Sequence, residues 1–388
     1  MSNQSQLMRQ KYTSEAKNIA LSNASEVNTT TLLQSQTTGP WWDLLAELDV
    51  TVGVSREYEH FIVLLSSDAG KPVISPLELP HPSGMFFDKQ ANELIVSSTR
   101  TPNQIFWMRP LGEKDLLSDV VPADMEMPHG TMFLPYRSIL LPGTFCIHDI
   151  AMMGGELYAT ITGHNFLAKL GASGGWERVW WPSLLDDMGR AAFDQNYLQL
   201  NSIAVGTKPE DSFFTAFSDQ PTGPKPWKDG YGPKGKGVVF SGATRKVMVR
   251  GLTCPHSAKL HQDRLWLCNS GYGEIGFADL SSAQPEFQPV AKANGFTRGL
   301  AIHGNIAFVG LSAVISFYEP YAPGLDPKKT ECGIVAIDLN TGEQVAALTW
   351  DQGYQIYDVQ LLPGVKRSLL PNGVGGDGSI NKHLRFLG

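Results

Sequence analysis

From residue 41 onward, short apolar runs alternate with clusters of Gly, Pro, Asn and Asp. TVGVS (51–55), HFIVLLSS (60–67) and PVISPLEL (72–79) open the series, and ELIVSST, ELYATITG, RLWLCNSG and NIAFVGLS continue it. Short runs rich in β-branched, aliphatic and aromatic residues and bounded by turn residues have the pattern of β-strands. Residues 1–40 instead carry Ser, Thr, Asn and Gln with little periodic apolar content, too little to offset the entropy of ordering. They are expected to form a mobile polar arm, with a short helix around residues 7–21.

The strong strands recur behind a short conserved layout: a polar or small pair, two apolar or small residues, a turn, then the strand. Six segments fit it, beginning at Ser83, His148, Asn201, His256, Arg298 and Tyr357. The spacing suits four-stranded blades of about 40–50 residues with insertions. The sixth start has too little chain after it to complete a blade, whereas three strands stand before the first start without an opening strand of their own. One C-terminal strand added to three N-terminal strands makes a whole blade and leaves no sheet edge open to aggregation. The sequence therefore predicts an all-β, six-bladed β-propeller over residues 41–367, closed in this way, with a tail over 368–388; seven blades is the alternative.

Composition narrows the partners. With 31 Lys and Arg against 38 Asp and Glu the net charge is −7, which argues against a nucleic-acid partner or an anionic membrane surface. No apolar run reaches the roughly 18–20 residues of a membrane span and no secretion-signal layout opens the chain, so a cytoplasmic location is expected. Cys146, Cys254, Cys268 and Cys332 form no C-x-x-C pair, so reduced thiols are expected rather than a disulfide framework or a zinc ribbon.

If the six segments are innermost strands, their first residues ring one mouth of the central channel. Two imidazoles, a guanidinium, an amide and a phenol would converge there, the mixture expected of a metal or polar-ligand site. A second ring, Gly84, Asp149, Ser202, Ser257, Gly299 and Asp358, lies just behind, and its small residues suit crowding near the axis. His148, His256, Arg298 and Tyr357 are the candidate catalytic residues. His148, Asn201, His256 and Asp358 are the candidate ligands of a divalent cation, with calcium, zinc and iron all open. Asp149, Ser257, Cys146 and Cys254 would support them. Each of these cysteines stands two residues before a ring histidine, and along a strand residues i and i+2 share a face, so each thiol would flank its imidazole.

The stretches CPHSAKLHQDRLWLCNSGYGEIGFADL, GFTRGLAIHGNIAFVGLS, CGIVAIDLNTGEQVAALTW and IYDVQLLPGVKR resemble an uncharacterised family of bacterial conserved-hypothetical proteins, and IHDIA and LNSIA extend the resemblance over about residues 50–367. The family implies no activity. Two departures stand out: a basic pair tends to follow VGLS where this chain has Ala313-Val314-Ile315-Ser316, and an acidic residue tends to precede IYDV where Gln355 stands. If those charges hold the family's ligand, this member binds something else. A weaker, fold-level similarity links the repeat to gluconolactonase-like and NHL-type propellers, and fold analogy alone transmits no activity.

The expected function is that of an enzyme acting on a small polar or peptidic substrate at the funnel by metal-assisted hydrolysis, elimination or isomerisation. The alternative is a non-catalytic ligand- or protein-binding propeller using the same mouth. The Gln220–Gly237 stretch, rich in Gly, Pro and Lys, is expected to be a long loop interrupting the third blade, either over the mouth or solvated.

Overall fold

The computed structural model describes residues 29–100, 103–111, 130–223, 225 and 232–370. They form six antiparallel sheets of the kind the apolar runs predict. The first blade runs outward from Pro82–Asp88 through Glu93–Ser98 and Asn103–Pro110 to Thr131–Leu141. The second has Ile147–Met153 innermost, the third Ser202–Ala204, the fourth Pro255–His261 and the fifth Phe296–His303. In the sixth, Asp358–Pro363 is innermost and pairs with Val50–Arg56, which is followed outward by Phe61–Asp68 and Lys71–Glu78. Each innermost strand touches those of its two neighbours, so the blades close a circle. The protein is a six-bladed β-propeller, and among the described residues no helix is long and apolar enough to cross a membrane.

Strands packed between neighbouring blades are covered on both faces and so read as continuous apolar runs rather than alternating ones. Phe61, Ile62, Val63, Leu64 and Leu65 are all buried, contributing to two different core clusters on the two faces of the sixth blade. Each such side chain contributes about 1.5–3 kcal/mol by leaving water.

The expected boundaries of the propeller are corrected at both ends. Residues 29–38, placed by sequence in a mobile arm, include a fifth strand, Ser35–Thr38, paired to the outer strand of the fifth blade, Gln344–Trp350. Leu33 is buried in the core, and the fully buried Arg56 donates to the carbonyl of Leu32 at 2.8 Å and to that of Gln352 at 2.7 Å. At the other end, Ser368–Leu369 pairs in parallel with the outer strand of the first blade, and Ser368 Oγ lies 2.8 Å from Thr51 Oγ1. The ordering contacts are thus backbone pairing and buried hydrogen bonds, which low apolar content does not reveal. The helix expected around residues 7–21 and the tail beyond residue 370 lie outside the described residues.

What fixes one blade to the next is one residue near the mouth end of each innermost strand, the ring of Gly84, Asp149, Ser202, Ser257, Gly299 and Asp358. Asp149 Oδ2 accepts the amide of Ile203 in the next blade at 2.8 Å, Ser202 Oγ that of Ala258 at 3.2 Å, and Ser257 Oγ that of Gly299 at 2.8 Å. Asp358 Oδ2 accepts the amide of Met85 at 2.8 Å. The two remaining positions are glycines because the next blade stands too close. A Cβ on Gly84 would meet Asp149 Cα at 2.7 Å, and one on Gly299, where φ is +83°, would meet Val359 N at 2.6 Å. Local bulges, seen as register shifts between Pro82 and Met85, His256 and Lys259, and Thr297 and Leu300, help turn these residues toward the neighbouring blade. Replacing Asp358 by Ala strips an acceptor from two buried amides, those of Met85 and Val359. It should lower the unfolding free energy by about 1–3 kcal/mol in denaturant titration, whereas the exposed Glu286→Ala should leave it unchanged; equal stability of the two variants would contradict the stapling role.

Candidate functional site

The residues immediately before that ring, Ser83, His148, Asn201, His256, Arg298 and Tyr357, stand at the same end of the innermost strands, as do the connections that enter and leave there. Two of them are imidazoles held in the same way. His148 Nδ1 donates to the carbonyl of Cys146 at 2.8 Å, and His256 Nδ1 to that of Cys254 at 2.9 Å, with Ser270 Oγ 3.0 Å away. With Nδ1 carrying the hydrogen, Nε2 of each ring presents a lone pair. His148 Nε2 accepts from Gln199 Nε2 at 3.0 Å, whereas His256 Nε2 has no hydrogen-bond partner among the described residues. Cys146 and Cys254 can offer these carbonyls because both adopt left-handed backbone, with φ of +51° and +50°.

Between the imidazoles stands a buried cation. The Arg298 guanidinium lies 3.5 Å from the centroid of the Tyr357 ring, and the His148 ring lies 5.4 Å from the same phenol. Arg298 pairs with no carboxylate among the described residues. Its charge-facing partner is an amide: with Gln355 oriented to suit its neighbours, the amide oxygen accepts from Arg298 Nη1 at 3.1 Å and the nitrogen donates to Glu57 Oε2 at 2.7 Å. Glu57 is itself paired with Arg100, whose Nε donates to Oε1 at 2.8 Å, and His81 Nδ1 lies 3.4 Å from the same oxygen. Burial would raise this carboxyl, but His81 and Arg100 hold it at about 2.

The electrostatic consequence falls on the imidazoles. Burial first, then the positive charge of Arg298, pushes His148 down to about 3 and His256 well below its ordinary value. Both rings are neutral at physiological pH. Burial also raises the Tyr357 phenol, which therefore keeps its proton. Lys225 and Arg100 act on the Cys146 thiol, which burial nevertheless raises. The mouth is thus locally basic in an acidic protein.

His148, His256, Arg298 and Tyr357 are brought together as expected; the rest of the predicted set is not. Asn201 spends its amide on structure, donating to the carbonyl of Pro255 at 3.0 Å and accepting from Thr215 Oγ1 at 2.5 Å. Both oxygens of Asp358 and of Asp149 accept backbone amides, and burial raises both carboxyls. Ser257 is a staple. The expected ligand set of His148, Asn201, His256 and Asp358 is not arranged around a cation: each Asp358 oxygen accepts a backbone amide, the Asn201 oxygen a hydroxyl and His148 Nε2 an amide N–H, and among the described residues no three His, Cys, Asp or Glu side chains cluster as metal ligands would. Cys146 and Cys254 support the imidazoles through carbonyls, not thiols, since their left-handed backbone breaks the i, i+2 alternation of an extended strand. Burial raises the Cys254 thiol as well.

Gln199, Glu57 and Arg100 are not singled out by the sequence, and Gln355 stands out there only as a departure from the family pattern. A signal existed for Gln199 and Gln355: each stands two residues before a ring position, as Cys146 and Cys254 do. Glu57 and Arg100 sit in turns with no such mark. The segment around 220–237 leaves the third blade after Phe213–Ala216 and rejoins it at Gly237–Ser241, at the mouth end of the sheet.

Comparison with known proteins places this geometry in context. The structure is similar to a nidogen/laminin complex component at a TM-score of 0.53 and 9% identity, covering 81% of this chain and 99% of that one. It is similar to a gluconolactonase from Xanthomonas campestris at 0.44 and 11% identity, covering 70% and 77%, and to a virginiamycin B lyase from Staphylococcus aureus, solved with quinupristin, at 0.39 and 12%, covering 81% and 99%. At such identities only the fold is shared. No curated protein matches the chain. A family model matches residues 39–370, and the chain therefore belongs to the domain of unknown function family DUF4915.

Proposed function

We propose that the mouth is the active site of an enzyme that anchors a small anionic substrate on Arg298 and moves a proton at His256 Nε2. The observation that supports it is a buried guanidinium with no carboxylate partner among the described residues, set beside two neutral imidazoles. Burying a charge without a counter-charge is costly, and a carboxylate or phosphate arriving at Arg298 would supply that counter-charge through paired hydrogen bonds. The same arrival offsets the field that depresses the imidazoles, so His256 gains proton affinity when the substrate is in place. Its Nδ1 remains bonded to the Cys254 carbonyl, which would stabilise the imidazolium. Proton abstraction beside a carboxylate, the first step of an elimination or isomerisation, uses these groups directly: His256 Nε2 takes the proton and Arg298 meets the developing negative charge. The protonated Tyr357 hydroxyl, 3.4 Å from Thr99 Oγ1, is a further donor. A ligand-binding mouth without turnover is the second reading, favoured by the weak basicity of both imidazoles in the ligand-free protein.

Titration calorimetry with acetate, malonate, citrate and phosphate should detect binding by the wild-type protein. Arg298→Met should weaken it roughly 10- to 100-fold, the scale of a lost hydrogen bond to a charged group. Binding of none of these anions, or equal binding by a folded Arg298→Met variant, would contradict the anchor.

The imidazoles also set a pH dependence of stability. An unfolded histidine titrates near 6.5, while His148 in the fold does so only at about 3. Between these values the unfolded chain binds the extra proton, so the contribution is intact above 6.5 and is lost as pH falls, by at most about 1.4 kcal/mol per pH unit. Thermal melts of His148→Gln should therefore decline less steeply than wild type between pH 6.5 and 4.5; parallel curves would show that His148 does not carry the shift.

A further inference from the structure

Gln355 lies in the connection that enters the innermost strand of the sixth blade, and the backbone on both sides of it is pinned. The Tyr354 amide donates to Glu59 Oε1 at 2.8 Å, and the Tyr354 carbonyl accepts from the amide of Ala313 at 2.9 Å. The Ile356 amide donates to Ser312 Oγ at 3.1 Å, and that of Tyr357 to the carbonyl of Ser55 at 2.8 Å. The position is therefore held from the fifth blade and the sixth at once. Its buried side chain bridges Arg298, on the innermost strand of the fifth blade, and Glu57, which follows Val50–Arg56 in the sixth. A side chain with an acceptor at one corner and a donor at the other satisfies both neighbours, and a primary amide is such a group. Its oxygen accepts from Arg298 Nη1 at 3.1 Å while its nitrogen donates to Glu57 Oε2 at 2.7 Å. Glu57 sets that orientation: Arg100 Nε already donates to Oε1 at 2.8 Å, and the remaining carboxylate oxygen calls for a donor.

Resting on the anion reading above, we infer that Gln355 is the residue that determines the charge of the ligand: it fills the place beside Arg298 with a neutral acceptor and so leaves the charge of the guanidinium for an anion from solution. A carboxylate at the same position has the same length and shape, but it would pair with Arg298 as a ligand carboxylate does and supply the counter-charge from within the protein. An arriving anion would then meet a satisfied ion pair and a like charge, which is discrimination by repulsion rather than by lost contact. The sign of the ligand is thus set by one atom of one pinned side chain.

The test compares malonate with its neutral isostere malonamide by titration calorimetry. The proteins are wild type, Gln355→Glu, and the exchange variant Glu57→Gln with Gln355→Glu, which keeps both the net charge and an amide beside a carboxylate. Wild type should prefer malonate. In both variants malonate affinity should fall roughly 10- to 100-fold, the scale of a hydrogen bond to a charged group, and the preference over malonamide should disappear. The exchange variant decides the matter if two adjacent carboxylates keep Gln355→Glu from folding. Nitrogen-15 NMR of Gln355→Glu should also show the proton affinity of His148 and His256 raised, because the added negative charge offsets that of Arg298; a change of packing alone would not move both rings in that direction. A folded variant that binds malonate with the wild-type affinity and preference overturns the role of Gln355 while leaving the anion anchor standing. Failure of the wild-type protein to bind malonate overturns the anchor itself.

Discussion

Crowding at the propeller axis is the constraint from which the rest follows. Six innermost strands converge on the axis, and one residue near the mouth end of each must either be small enough to let the next blade approach or spend its polar atoms on that blade's backbone. Gly84 and Gly299 take the first course; Asp149, Ser202, Ser257 and Asp358 take the second. With cohesion assigned to that ring, the six residues immediately before it are candidates for chemistry at the mouth. Two of them, Ser83 and Asn201, are drawn back into the sheet by Ser97 and Thr215. His148, His256, Arg298 and Tyr357 remain.

The site owes its character to an amide. Gln355 stands between Arg298 and Glu57, so that carboxylate is one hydrogen-bonded group away and already paired with Arg100. A buried guanidinium left with amide and aromatic partners makes a positive mouth in a protein of net charge −7. Burial, and then this charge, keeps both imidazoles neutral, and the carbonyls of Cys146 and Cys254 hold Nδ1 of each ring, which leaves Nε2 as the acceptor. Overall charge therefore says nothing about the sign of ligand this mouth accepts.

Much of this was legible in the sequence, and the limits have physical causes. Blade number followed from the recurrence of a polar pair before a strong strand, since each blade faces the same crowding at the axis and answers it with the same residue types. The mouth quartet was legible for the same reason. Asp358 and Asn201 are expected as ligands because residue type does not distinguish an oxygen aimed at a cation from one aimed at a neighbouring amide or hydroxyl; that depends on how closely the next strand approaches, which the sequence does not display. The thiols of Cys146 and Cys254 were placed by strand alternation, which fails where the backbone turns left-handed. Glu57 and Arg100 come from the connecting segments of separate blades, and only the closed ring makes them neighbours. Ser35–Thr38, polar throughout, joins the fifth blade by backbone pairing that leaves no apolar trace.

The central claim is that burial, reinforced by an Arg298 with no carboxylate partner among the described residues, holds His148 and His256 as neutral imidazoles with hydrogen on Nδ1. Nitrogen-15 NMR of the protein labelled at histidine reports tautomer and protonation for each ring. The account predicts both rings neutral and Nδ1-protonated at pH 6, with Arg298→Met raising the proton affinity of each. Imidazolium signals from either ring in the wild-type protein at pH 6, or rings indifferent to the loss of Arg298, would contradict it.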